Sequence, residues 1–153
     1  MALETKKNIS ELIEIFINNS KFLAEYEATD RIINNEEHSY NKAKKVALQK
    51  CRATKALLKS EEGISQLIKL LNYNEIVVSS AVAEVLYPLF PSQCIKILKD
   101  YSKSLSNKLD AYKIDCMIDG LNQKQDFFMN NLKKLYNTDN LEELNREGKQ
   151  NRK

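Results

Sequence analysis

The sequence predicts an all-α fold, and three observations carry that expectation. Apolar residues recur at three- and four-residue spacing along most of the chain, only three glycines and two prolines occur in 153 residues, and a helix–turn–helix pattern returns after about 35 residues. A β-sandwich or barrel needs a turn about every 8–12 residues, mostly built with glycine or proline, and this chain lacks the residues for them. With 42% hydrophobic and 29% charged residues in 17.7 kDa, it reads as a single globular domain able to bury a core.

The elements follow in order. Ile9, Leu12, Ile13, Phe16, Ser20 and Leu23 form one stripe, predicting a first helix capped by Asn8 or Ser10. The pattern decays after Tyr26, and Ile32-Ile33-Asn34-Asn35 reads as a break. A second helix is expected over residues 37–58. Its inner side holds Tyr40, Ala43, Val46, Ala47, Cys51, Ala53, Leu57 and Leu58, and its outer side carries a basic stripe of Lys44, Lys45, Arg52, Lys55 and Lys59. Residues 61–71 read as a short helix with its acids at the favourable N-terminal end. Asn72-Tyr73-Asn74 makes a turn, with Asn74 capping a helix over 75–87, and Pro88 and Pro91 mark the next corner. Helices over 93–102 and 108–123 come next, the second capped by Ser106 or Asn107. Gly120 inside it weakens it by about 1 kcal/mol relative to alanine. Phe127, Phe128, Leu132, Leu135 and Tyr136 make one more amphipathic helix, and residues 137–153 are polar and expected to fray.

Charge is unevenly spread. Residues 1–41 carry eight acids against four bases, whereas residues 42–60 carry seven cations and no acid. The simplest expectation is two antiparallel helices whose charges compensate.

Composition argues against several chemistries. Cys51, Cys94 and Cys116 are too far apart for a zinc ribbon or a disulfide framework and read as reduced thiols packed as small hydrophobes. Glu36, Glu37 and His38 could be read as metal ligands, but adjacent helical side chains point about 100° apart, so a solvated helix start is the better reading. No glycine-rich phosphate loop can be built from three scattered glycines. Asp115 and Asp119, one helical turn apart, suit acid–base work only in a deep cleft. No enzyme, metal or cofactor is expected. The N-terminus has no apolar core of a signal peptide and no run reaches about 18 apolar residues, so a cytoplasmic protein is expected.

The segment from Leu67 to Leu86 resembles a HEAT repeat. Leu67, Leu70 and Leu71 stand where the first helix packs inward, Asn72 and Asn74 at the turn positions, Val77 at the valine after the turn, and Ala81, Val82 and Leu86 on the small-small-leucine face. Val78 stands where such repeats usually carry arginine, so the resemblance implies a stack without the inter-repeat Asp–Arg ladder. Residues from about 12 to 125 are similar to a small bacterial family of unknown function built on HEAT-like helices, through Tyr40-Asn41, Asp110-Ala111 and Leu121. The resemblance implies a right-handed HEAT-like stack of helix pairs over 8–136, an α-α superhelix, and brings no catalytic residue. Small HEAT-like proteins of this kind are similar to ones encoded beside bacterial toxins, where they act as immunity proteins. That implies a non-enzymatic module that binds and occludes a cognate toxin, a nuclease among the candidates.

In such arrays the second helix of each pair lines the concave side. Ile76, Ser80, Ala83, Glu84 and Tyr87 would then form an exposed, unusually apolar face beside Tyr112, Asp115 and Asp119, with Val77, Val78, Ala81, Val82, Val85 and Leu86 in the core. Exposed tyrosine rimmed by acid suits a protein interface. Packing of that face against the Phe127-Phe128 helix is the competing expectation. On the last repeat helix, Ile114, Met117, Ile118 and Leu121 point inward. The basic stripe offers a runner-up function, binding of nucleic acid, against which stand the absence of tryptophan and the acidic first segment that would cover it.

Overall fold

The computed structural model describes residues 8–26 and 37–136. Among the described residues seven α-helices follow one another and no strand occurs. They are α1 (Ile9–Glu25), α2 (Glu37–Leu58), α3 (Glu61–Lys69), α4 (Ile76–Leu86), α5 (Pro91–Ser104), α6 (Lys108–Gln123) and α7 (Gln125–Tyr136), with a 3-10 turn at Leu70–Asn72. The fold is all-α, as the periodicity and the scarcity of glycine and proline predict. The expected break at 32–35, the side chains of the Glu36–His38 cluster and the tail from 137 onward lie outside the described residues. The chain divides into two compact units, residues 1–67 and 68–153.

In the first unit α1 and α2 pack antiparallel. Along α1, Phe16, Asn19 and Phe22 meet, in that order, Lys50, then Val46 and Gln49, then Lys42 on α2. Asn8 caps α1, its Oδ1 accepting the Glu11 amide at 2.8 Å. The two helices pack on each other, Leu12 and Phe16 being the buried apolar residues of α1 and Ala43, Ala53, Leu57 and Leu58 those of α2. The polar residues in this seam each have a physical reason or a cost. Thr54 donates to the Lys50 carbonyl one turn back at 2.8 Å, which lets a hydroxyl sit in the core. Ser20 is only 4% exposed, and its hydroxyl has no hydrogen-bond partner among the described residues. The corner into α3 is tight. Ser60 caps it, its Oγ accepting the Gly63 amide at 2.9 Å and its carbonyl the Ile64 amide at 3.0 Å. A Cβ on the buried Gly63 would collide with the Leu57 carbonyl.

The second unit is built around α4, which touches the 3-10 turn, α5, α6 and α7. Val78, Ser79, Val82, Ala83 and Leu86 are its buried face. Ser79 is fully buried because its hydroxyl donates at 2.6 Å to the Leu71 carbonyl at the end of the preceding turn, one of the groups a helix end leaves unpaired. That bond rotates α4 from the expected register. Val77, expected in the core, is 42% exposed, and Ala81 and Val85 are half-buried. Asn74 does not cap α4; Glu75 holds the N-cap position, and its side chain makes no capping hydrogen bond. Pro91 opens α5 at the position where its missing N–H costs nothing. Asn107 caps α6, accepting the Leu109 and Asp110 amides at 2.9 and 3.2 Å. Ile114, Ile118 and Leu121 of α6 point inward with Met117 half-buried, and Phe128 of α7 closes the core.

Two substitutions test the packing. Gly63→Ala should destabilise by about 1–3 kcal/mol, because backbone must move to admit the methyl. Gly120→Ala should stabilise by about 0.5–1 kcal/mol, since nothing lies within 4 Å of a Cβ there and the helix gains propensity. Urea denaturation of the two variants should therefore show midpoint shifts of opposite sign. Ser20→Ala should raise stability by about 1 kcal/mol by removing an unpaired buried hydroxyl; a loss of stability would show the hydroxyl to be bonded.

Candidate functional site

The basic stripe emerges on α2 as read from the sequence. Lys44, Lys45, Arg52 and Lys55 are exposed along one side of the helix, and Lys59 is exposed in the turn that follows. The acidic α1 does not cover them. Its seam with α2 is served by the opposite side, where the Lys42 ammonium lies 5.2 Å from the Phe22 ring centroid and Lys50 lies 5.3 Å from that of Phe16. Asn19 holds the seam with bonds to the Val46 carbonyl at 3.1 Å and Gln49 Oε1 at 3.0 Å. These contacts lie on the side of α2 away from Lys44, Lys45, Arg52, Lys55 and Lys59, which stay exposed. Tyr40 and Cys51, expected inside, are exposed, and Leu48 is 49% exposed in line with the cations. The inner side of α2 is narrower than hydropathy suggests, and the half-buried Lys50 stretches its stem over the buried Phe16 ring there. A shallow groove of about 270 Å³ beside the seam is lined by Glu11, Glu14, Ile15, Asn18, Asn19 and Gln49.

In the second unit the eight residues expected to make one exposed face separate. Ala83 is fully buried and Tyr87 only 5% exposed, its hydroxyl donating to Asn122 Oδ1 at 3.0 Å. Neither can be an exposed anchor, because both are buried in their own unit, where α4 packs against α5, α6 and α7. Burial, and then Cys94, raise the Tyr87 phenol above its ordinary pKa. Ile76 and Ser80 are half-buried and Glu84 is exposed.

Tyr112, Asp115 and Asp119 do come together on the outer face of α6. Tyr112 is 65% exposed, and a side-chain hydrogen bond with Cys116 raises its pKa, with a smaller push from Asp119. Asp115 accepts a hydrogen bond from the buried Ser102 at 2.8 Å, which ties the face to α5. Leu109, 60% exposed and one turn before Tyr112, extends the row, and Phe127 at the start of α7 is 56% exposed. Sequence reasoning passed over both. Leu109 was legible, since Leu109, Tyr112 and Cys116 stand at i, i+3, i+7; Phe127 was not, because its neighbour Phe128 takes the buried place and stacks edge-on against it at 5.3 Å. Of the three thiols only Cys94 is buried as a small hydrophobe; Cys51 and Cys116 are exposed.

Among the described residues no group of three His, Cys, Asp or Glu side chains could hold a metal ion, and no helix is long and apolar enough to cross a membrane. No protein-family model matches this chain, and no curated protein or solved structure matches it significantly.

Proposed function

We propose that this protein is a non-enzymatic protein-binding module whose contact surface is the outer face of α6. One observation carries the reading: Tyr112 and Leu109 stand 65% and 60% exposed in line on a helix whose other side is locked into a core. A tyrosine loses little side-chain freedom when a partner covers it and offers a polar tip, which is why such rings recur as interface anchors. Asp115 and Asp119 beside it give the face a negative field suited to a basic partner. The helix is presented rigidly, by the Asn107 cap at one end and the Ser102–Asp115 bond along its side.

The partner we propose is a cognate bacterial toxin, a nuclease whose phosphate-attracting site would meet this acidic rim. The protein would act in the cytoplasm as an immunity protein, by occlusion. The proposal includes a HEAT-like right-handed stacking of the helix pairs. Supporting it are the resemblance of residues 67–86 to a HEAT repeat and the all-helical fold. The toxin reading rests on the same resemblance.

Co-purification from the native host, followed by calorimetric titration with the captured toxin, tests the reading. Tyr112→Ala, and separately the Asp115→Asn, Asp119→Asn pair, should each weaken binding by about 2 kcal/mol, or roughly 30-fold. Both side chains of the pair keep their acceptors, so the Ser102 bond survives and melting temperatures should stay within about 2 °C of the parent. Unchanged affinity in both variants would exclude this face.

A further inference from the structure

The face of unit 1 that carries the basic stripe has no role in the surface just described, and it differs from that surface in kind. From Lys44 to Lys59 the exposed cations run about 20 Å along α2 and the turn after it, at 1.5 Å per residue. Between residues 42 and 60 the chain has no acid to neutralise them. The inner side of α2 is already committed to Phe16, Leu12 and Phe22 of α1, with Lys42 and Lys50 drawn over rings. Packing therefore makes no use of Lys44, Lys45, Arg52, Lys55 or Lys59.

We infer that this face of α2 is a second binding surface, one that takes the phosphate backbone of a nucleic acid without regard to sequence. A row about 20 Å long faces about six phosphates of one strand of a duplex, a close match to five cations. A protein partner is the weaker fit. A standard protein interface covers about 800 Å² on each side and is more than half apolar. Among the described residues the apolar surface on or beside this face is small: Leu48, 49% exposed, the Cys51 thiol, and the ring of Tyr40, 58% exposed at the N-terminal end. Long flexible cations on one convex helix have no pocket to shape a protein contact, but they can follow evenly spaced charges. Arg52, at the middle of the row, can bind a phosphate through two parallel N–H bonds, and the Tyr40 hydroxyl can donate to phosphate or sugar oxygen.

Fluorescence anisotropy of the full chain with a labelled 20-base-pair duplex of arbitrary sequence, and with a single strand of the same length, tests this at 50 and 200 mM salt. With three to five phosphates neutralised, duplex affinity should fall about 40- to 500-fold between the two salt concentrations. Lys44→Gln with Lys45→Gln, and Arg52→Gln with Lys55→Gln, should each reduce the log–log salt slope by about 2. Lys96→Gln with Lys99→Gln, exposed cations on α5, should leave it unchanged. The four side chains substituted on α2 and the two on α5 are all exposed, so equal melting temperatures across the set show that only charge has changed. Three results would each overturn the inference. The first is no duplex or single-strand binding tighter than about 100 μM at 50 mM salt. The second is a salt slope indifferent to the stripe substitutions. The third is tighter binding of a polyglutamate probe of matched charge, which would assign the face to an acidic protein.

Discussion

An eleven-residue helix that carries a single charged side chain needs a broad protein cover, and the second unit is arranged around that constraint. Apart from Glu84, α4 offers only aliphatic residues and serines, and its face of Val78, Ser79, Val82, Ala83 and Leu86 is buried while Val77 and Glu84 stay exposed. The 3-10 turn, α5, α6 and α7 supply that cover. Each covering helix in turn has one face assigned inward. For α6 the inward set is Ile114, Ile118 and Leu121, and Leu109, Tyr112 and Asp119 are thereby turned outward. The exposed row on α6 is thus the side left over when that helix packs on α5 and α4.

The architecture was legible where hydropathy alone decides burial. The stripe of Leu12 and Phe16, the inward set of α6, the Asn107 cap and the proline corner all follow from period, capping chemistry and the missing proline N–H. The register of α4 was misread where a hydroxyl is buried by a hydrogen bond. Ser79 bonds the Leu71 carbonyl, so a position that looks polar is inside. With Ser79 in the core, α4 turns far enough to expose Val77 and to bury Ala83 and Tyr87. A wheel weighted by hydropathy puts Val77 inside and Tyr87 out, because the partner carbonyl eight residues earlier is invisible to it. On α2 the reverse holds: Lys50 reads as surface but lies half-buried over Phe16, while Tyr40 and Cys51 are exposed.

The same contrast separates the two candidate surfaces. The stripe on α2 could be read directly, because no fold buries five uncompensated cations on one side of a helix. The α4–α6 face could not, since whether an aliphatic helix is a concave lining or an enclosed core depends on the elements that follow it. Phe128 of α7, buried within the same unit, favours enclosure. Opposite charge then marks the surfaces as chemically distinct: cations on α2 in one unit, tyrosine and carboxylates on α6 in the other.

The placement of the cysteines has a practical consequence. Cys94 is sealed inside the second unit, while Cys51 and Cys116 are open to solvent, one in each unit. The unaltered chain therefore already carries two addressable thiols, and maleimide dyes or spin labels can be attached without engineering a site. A donor–acceptor pair on those positions spans the division at residues 67 and 68, so distance distributions between them would report whether the two units hold one arrangement or exchange among several.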